Sequence, residues 1–156
     1  MKKILAIIAI AASMFAVNAQ AQNAKSVAAA KAAVDKAQAA VENAKQNMLD
    51  GDYNTRWTSN NVKGEYAIFD LGTEENIDTI GLAFWKGNVR NYSFTVLVSS
   101  DGKNWEEVFD GANSGTSENM EIFDIYSTGR YIKIVHNGNT NNNNCNILEF
   151  RAFRYE

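Results

Sequence analysis

The chain has 156 residues, of which 46% are hydrophobic and 11% aromatic, enough for one globular domain with accessory segments but not for a second large domain. Its 15 Lys and Arg residues are scattered among 18 Asp and Glu residues, and without a basic patch we expect no nucleic acid partner. Cys145 is the only cysteine, so an internal disulfide is excluded and a small buried residue is expected.

The first 21 residues have the pattern of a secretory signal peptide. Lys2 and Lys3 precede an apolar run over residues 4–17, and small residues follow at the expected cleavage sites after Ala19 or Ala21. The apolar run is too short to span a bilayer, so we expect a secreted, soluble mature protein. Loss of the two lysines leaves 13 basic against 18 acidic residues, a net charge of −5.

Residues 22–48 predict an alanine-rich α-helix, because Ala, Lys, Gln and Glu are strong helix formers. A valine or methionine recurs every seven residues, with alanine three places after each valine, which is an a/d heptad pattern: Val27, Ala30, Val34, Ala37, Val41, Ala44 and Met48. Alanine at every d position makes a thin seam. The pattern therefore fits a solitary helix, a helix lying on the domain, or a weak coiled coil that forms a homo-oligomer.

The segment from Asp50 to Trp57 crowds oxygen donors into a tight turn beside Gly51. Ca²⁺ prefers six to eight such oxygens, and glycine lets the backbone turn its carbonyls inward. An EF-hand is excluded because Thr55 and Asn61 occupy the positions that need Gly and a bidentate Glu. Two interpretations remain: a calcium loop whose other ligands come from elsewhere in the fold, or a polar turn with an Asx cap.

After Asp50 the hydrophobic period changes from seven to two, which places the start of a β domain at residue 49. Short strands without intervening helices predict an all-β fold, an antiparallel β-sandwich, with Ile80, Leu82 and Phe84 on one core face and Phe94, Val96 and Val98 on another. Residues 100–104 predict an Asp-Gly hairpin turn. Seven strands are expected: Tyr66–Leu71, Ile77–Trp85, Tyr92–Ser99, Glu106–Phe109, Met120–Tyr126, Arg130–His136 and Asn146–Tyr155.

Several weak motifs occur in a characteristic order: Asp50-Gly51-Asp52 with Thr55-Arg56-Trp57, Phe69-Asp70-Leu71-Gly72, the run from Val96 to Trp105, and Arg130-Tyr131-Ile132-Lys133-Ile134. In this order and spacing the chain resembles the discoidin, or factor V/VIII C-type, domain and in particular the bacterial family 32 carbohydrate-binding modules. The resemblance covers residues 50–156. It implies a galactose-binding-like jelly roll that binds glycans without cutting them.

The resemblance also implies a structural Ca²⁺ site. Its ligands would be the Asp50 carboxylate, the Asp52 carbonyl, the Thr55 hydroxyl and carbonyl, and Glu149 near the end of the chain. Such a site would join the first loop to the last strand. The family usually has a strand before this loop, so here either that strand is lost or residues 42–47 unwind to supply it.

The expected glycan site combines an aromatic plate with donors from two loops. Sugar rings stack on aromatic faces and are held at their edges by hydrogen bonds. The residues proposed for this role are Trp85 as the plate, with Lys86, Arg90, His136, Asn139, Asn141 and Asn142 as polar partners. Lys86 and Arg90 could instead form a solvated loop face and His136 could be structural, whereas two cations beside an aromatic suit an acidic sugar such as a uronate.

Two tryptophans and the cysteine are not expected to bind the glycan. The resemblance implies core positions for Trp57 and Trp105, and Cys145 stands where related modules often carry a tryptophan.

One histidine, one cysteine and no marked carboxylate pair provide no constellation for catalysis, so we expect no enzyme. Loops rich in Asn, Gly and Asp do not favour a phospholipid-binding discoidin domain. A cell-surface adhesin or assembly subunit, multimerised through its helix, is the remaining alternative.

Overall fold

The computed structural model describes residues 31–37, 39, 44–60 and 62–155. The chain divides into two compact units, Met1–Asn43 and Ala44–Glu156. In the first unit residues 31–37 and 39 are helical, and Lys31 forms an exposed i,i+4 ion pair of 2.8 Å with Asp35. The predicted signal peptide and the heptad positions Val27, Ala30 and Val41 lie outside the described residues. No described helix is long and apolar enough to cross a membrane.

The described residues of the second unit form six antiparallel strands. Their hydrogen-bonded order is β1-β6-β2-β5-β3-β4. Two of them are 19 residues long, because the predicted strands at 66–71 and 77–85 are one strand, and so are those at 120–126 and 130–136. The strands are β1 (Trp57–Thr58), β2 (Tyr66–Phe84), β3 (Tyr92–Ser99), β4 (Glu106–Ala112), β5 (Glu121–Asn139) and β6 (Asn146–Phe153).

The long strands β2 and β5 run through both layers of a sandwich. Residues 66–70 of β2 pair with the second half of β5, which also pairs with β3, whereas residues 79–84 pair with β6. The register of β2 against β5 shifts after Asp70, and such irregularities let a strand bend from one layer to the other. Phe69 of one layer stacks on Phe150 of the other with ring centroids 3.8 Å apart. The predicted antiparallel β-sandwich is therefore confirmed.

Both predicted core faces are buried as expected. The triplet ending at Phe84 and the triplet ending at Val98 are each at most 3% exposed, and Trp57 is 4% exposed. Cys145 is also buried, as predicted, and burial raises the pKa of its thiol. The expected core position of Trp105 is wrong, because this side chain is only partly buried and Lys133 Nζ lies 3.7 Å from its ring centroid at the surface.

The segment before the first loop is part of the sandwich unit. Met48, assigned by the heptad pattern to a helical seam, is fully buried in the sandwich core, and its carbonyl accepts a hydrogen bond from Phe150 N. Residues 44–46 are helical, so of the two alternatives from the sequence the described residues do not show the unwinding of 42–47 into a strand. The sandwich opens instead with the two-residue β1, which pairs with β6.

Candidate functional site

Two of the loops predicted to bind ligand meet at one end of the sandwich. The loop of residues 85–91 joins β2 to β3, and the loop of residues 140–145 joins β5 to β6. Asn91 and Thr140 connect them through reciprocal hydrogen bonds, from Thr140 N to the Asn91 carbonyl (3.0 Å) and from Asn91 N to Thr140 Oγ1 (3.3 Å). Trp85 N also donates to the Asn146 carbonyl at 3.1 Å. The two loops therefore form one surface.

Three cationic side chains lie over the Trp85 indole. The guanidinium carbons of Arg56 and Arg90 are 4.5 and 4.9 Å from its ring centroid, and Lys86 Nζ is 4.7 Å from it. Lys86 and Arg90 were predicted to lie beside Trp85, but Arg56 was missed as a site residue. Arg56 is 29 positions away and precedes β1, so only the pairing of β1 with β6 brings it to this loop.

The Trp85 cluster, defined as Trp85 with Arg56, Lys86 and Arg90, brings three positive charges together. Since all three charges lie within 4.9 Å of one centroid, no two are more than about 10 Å apart. None of them forms an ion pair with a carboxylate in the part of the chain that the structure describes. Cation–π attraction of about 0.5–1 kcal/mol at an exposed site offsets part of their mutual repulsion. This surface therefore favours the binding of an anion.

A buried asparagine holds the Trp85 loop in shape. Asn113 is 2% exposed and donates to the carbonyls of Gly87 (3.2 Å) and Arg90 (3.1 Å), while its Oδ1 accepts Tyr92 N at 2.6 Å. Lys86 adopts a φ of +55°, and a Cβ at Gly87 would lie 2.4 Å from the Ser117 carbonyl oxygen. The loop is thus fixed by packing as well as by hydrogen bonds, which preorders the cations.

The loop of residues 140–145, with Asn139 at the end of β5, is called the asparagine loop here. Most of its amide groups form hydrogen bonds within the loop. Asn139 Oδ1 accepts the amides of Asn141 (2.8 Å) and Asn142 (3.0 Å), and Asn139 Nδ2 donates to Asn142 Oδ1 and to the Asn144 carbonyl. Asn142 Oδ1 also accepts Asn144 N. Asn139 and Asn142 therefore shape the loop, whereas the exposed Asn141 is the member of the predicted trio whose side chain extends into solvent.

His136 lies behind the asparagine loop rather than at its surface. The side chain is 1% exposed, and its Nε2 is 2.9 Å from the Asn143 carbonyl oxygen. Burial, reinforced by the nearby positive charge of Lys63, lowers the pKa of His136, while the Asn143 contact opposes that shift. In this conformation His136 supports the asparagine loop. Of the two roles that the sequence left open for His136, sugar binding or structural support, this is the structural one.

The predicted metal ligands of the first loop converge. Asp50 accepts hydrogen bonds from Asp52 N (2.8 Å) and from the Thr55 hydroxyl (2.6 Å), and that hydroxyl is 3.0 Å from the Asp52 carbonyl oxygen. The hydrogen bond from Thr55, then that from Asp52 N, lowers the pKa of the Asp50 carboxyl, with a smaller contribution from Glu149. The loop thus gathers carboxylate, carbonyl and hydroxyl oxygens, as a hard cation requires.

The fourth predicted ligand, Glu149, lies on β6 and interacts with the Asp50 carboxyl. The side chain is fully buried, and neither carboxylate oxygen has a hydrogen-bond partner among the described residues, although Arg151 Nη1 forms an ion pair with Oε2. A buried carboxylate without hydrogen bonds is costly unless a cation compensates it, and among the described residues that cation is the partly exposed Arg151. Within the described residues no three His, Cys, Asp or Glu side chains converge, so a cation here would depend on main-chain and hydroxyl oxygens beside two carboxylates.

Comparison with solved structures gives matches to carbohydrate-binding modules. A CBM32 of AlyQ in complex with 4,5-unsaturated mannuronic acid is 32% identical, with a TM-score of 0.68, over 70% of this chain and 85% of that one. A pectin-binding carbohydrate-binding module is 31% identical, with a TM-score of 0.64, over 71% of this chain and 80% of that one. The predicted resemblance to family 32 modules is therefore confirmed.

Sequence comparison gives a shorter match to a larger protein. The polysaccharide lyase 8 family protein HylA of Enterococcus faecalis (strain ATCC 700802 / V583) is 29% identical over 68 residues, which is 44% of this chain but only 5% of that protein. The sequence profile of the F5/8 type C domain matches residues 22–150, most of the chain. This protein belongs to the F5/8 type C domain family.

Proposed function

We propose that this chain is a non-catalytic module that binds acidic, uronate-containing polysaccharide through the Trp85 cluster. The observation that carries the proposal is the set of three cations over one indole, none paired with a carboxylate among the described residues. Arginine binds a carboxylate through two parallel hydrogen bonds, and Lys supplies a compact charge. Relatives described as bound to mannuronic acid and as pectin-binding support the same ligand class.

In this proposal Trp85 has two roles. Its ring holds the guanidinium and ammonium groups by cation–π contacts, and its remaining apolar surface packs against a sugar ring. The exposed Asn141 adds an amide at the edge of the same surface. His136, Asn139 and Asn142 act indirectly, because their hydrogen-bonding groups hold the neighbouring loop in place.

Titration calorimetry with oligomannuronate, oligogalacturonate and their neutral hexose counterparts tests the ligand class. We expect the acidic oligomers to bind and the neutral ones to leave the Trp85 cluster unoccupied. Raising the ionic strength from about 0.1 to about 1 M shortens the screening length from about 10 to about 3 Å and should weaken this binding strongly. Equal affinity of the Trp85 cluster for acidic and neutral oligomers, or no binding of either at this cluster, contradicts the proposal.

Arg56→Gln tests the residue that the sequence did not suggest. Loss of one charge-assisted hydrogen bond of about 1.5 kcal/mol weakens uronate binding about tenfold. Lys103→Gln is the matched control, since it removes one positive charge from the exposed turn between β3 and β4. A loss of affinity in both variants would indicate an effect of net charge rather than of the Trp85 cluster.

We further propose that Ca²⁺ bound by Asp50, Asp52, Thr55 and Glu149 stabilises the sandwich. The support is the convergence of these oxygens and the buried Glu149 carboxylate, whose oxygens lack hydrogen-bond partners among the described residues. When bound, the ion would supply the positive charge that compensates both carboxylates. The ligands join the first loop to β6, so the ion would resist their separation. Ligand binding would remain at the Trp85 cluster.

The N-terminal segments set the proposed context. With its signal peptide removed, the module would act outside the cytoplasm on polysaccharide of a matrix or cell surface. The predicted helix, which ends at residue 46 rather than at 48, would bring weak single sites together, as in the adhesin or assembly-subunit alternative. Sedimentation of the mature protein with and without residues 22–43 tests this, and an unchanged monomer in both contradicts oligomerisation through the helix.

A further inference from the structure

Two exposed tyrosines flank a polar groove where β2 and β5 bend. Tyr126 is 69% and Tyr155 63% exposed, and they line a cavity of about 320 Å³ together with Asn76, Asp78 and Arg154. This volume is at the low end of the range for small-ligand sites, about 300–1,000 Å³. We propose that this Tyr126 groove is a second carbohydrate-binding site, separate from the Trp85 cluster, and that it takes neutral sugars.

The backbone of Tyr126 is unfavourable for a residue of its kind. Ile77 pairs with Ser127 and Thr79 with Asp124, so Ile125 and Tyr126 both lie opposite one residue of β2 in a β-bulge. Tyr126 has a φ of +40°, in the left-handed region that a bulge normally gives to glycine. The side chain gains little burial in return, so neither packing nor backbone preference explains a tyrosine here. Strained residues of this kind cluster at binding sites.

Tyr155 contacts β2 through both its backbone and its hydroxyl group. Its backbone N donates to Asp78 Oδ2 at 2.7 Å, and its hydroxyl oxygen is 3.4 Å from Oγ1 of the buried Thr79. Both ends of the residue are thus anchored to β2 while most of the ring stays exposed. A pyranose ring stacks at lower entropic cost on an aromatic ring that is already held in place.

The polar groups of the groove favour a neutral ligand. Asn76 Oδ1 accepts a hydrogen bond from the Thr128 hydroxyl at 2.9 Å, and the two protons on Asn76 Nδ2 are the donors that this amide can offer a ligand. Arg154 is already paired with Glu75 at 3.2 Å, and Asp78 adds a second carboxylate. The local charge is therefore negative, in contrast to the Trp85 cluster, and a uronate would be repelled. Carboxylate and amide groups bind sugar hydroxyls well.

The groove is long enough for more than one sugar unit and is distant from the first site. A second depression of about 370 Å³ shares Asn76 and Arg154 with it and includes Phe153, which is 38% exposed. Asp78 and Trp85 are seven residues apart along β2 and its end, or about 23 Å at the rise of a strand. Two sites of opposite charge at this separation could engage different segments of mixed polysaccharide.

Amide NMR titrations of the wild-type protein with cellohexaose and with mannohexaose test the proposal. We expect at least one hexamer to shift the amides of residues 76–78, 126–128 and 154–155 and to leave those of the Trp85 loop unchanged. Tyr126→Gly should lower this affinity at least tenfold while keeping or raising the melting temperature, because glycine relieves the strained φ. Tyr155→Leu should lower the affinity by a similar factor.

The controls separate this site from the Trp85 cluster. Trp85→Leu should retain hexamer binding while losing oligomannuronate binding, so failure of uronate binding alone would leave the second groove standing. The second groove is refuted if neither hexamer shifts the amides around Tyr126, if the shifts occur only around Trp85, or if Tyr126→Gly binds as the wild type does.

Discussion

Replacement of Glu149 by glutamine tests whether this buried carboxylate binds calcium. The side chain is fully buried without a hydrogen bond to either oxygen among the described residues, and Arg151, its ionic partner, is 39% exposed. In a chelator, a neutral amide of the same shape costs less to bury than a carboxylate. We therefore expect Glu149→Gln to melt at or above the temperature of the wild type when calcium is absent.

Calcium should reverse this order. At a free concentration of about 100 times Kd, a ligand that binds only the folded state stabilises it by about 2.7 kcal/mol. For a unit of about 110 residues the entropy of unfolding is about 0.23 kcal/mol/K, so the wild-type melting temperature should rise by about 12 °C. If Glu149→Gln weakens binding about 100-fold, its gain at the same concentration is about 0.4 kcal/mol, or about 2 °C.

Differential scanning calorimetry with excess calcium and with chelator measures both temperatures. Glu107→Gln on the exposed edge strand β4 is the matched control and should respond to calcium as the wild type does. A wild-type melting temperature indifferent to chelator refutes the calcium site. An equal calcium response in Glu149→Gln would instead remove Glu149 from the ligand set while leaving the first loop as a binding site.

Three further predictions concern the loops and the ion pairs. Burial lowers the pKa of His136 in the folded protein below 6.5, so the neutral side chain makes its full contribution to folding stability above pH 6.5, and the protein loses stability as the pH falls below that value. His136→Gln should flatten this pH dependence in thermal melts. The hydrogen bonds from Arg130 lower the pKa of Asp70 to about 2, so their contribution is present above pH 3.8 and is lost as the pH falls through 2, which an NMR titration of the Asp70 carboxyl would detect. Gly87→Ala places a methyl group against the Ser117 carbonyl, and we expect a loss of about 1–3 kcal/mol in denaturant melts together with weaker uronate binding; unchanged affinity would show that the loop tolerates the shift.

Local patterns in the sequence are sufficient to predict most of the sandwich. Alternation in Ile80–Phe84 and Phe94–Val98 predicts the two buried faces because successive side chains on a strand point to opposite faces of the sheet. The turn from Asp50 to Thr55 was also predicted as a cluster of oxygens, since its residues are neighbours in sequence. The joining of predicted strands into β2 and β5 was not predicted, because a bend at a bulge interrupts the alternation as a turn does.

Contacts between distant segments account for what the sequence could not supply. Arg56 and Trp85 are brought together by pairing across β1 and β6, and Met48 enters the core through its hydrogen bond to β6. Asn139 and His136 are residue types that bind sugars, yet the loop around them uses their hydrogen-bonding groups internally.

The sequence by itself thus determined the fold class, the two core faces and the types of side chain available for a glycan and for a cation. The tertiary structure decided which of those side chains stand together: three cations over Trp85, a buried Glu149 beside the first loop, and a strained Tyr126 facing outward. The physical reason is that alternation and turn preference act between near neighbours, whereas register, bulges and burial depend on which strands pair.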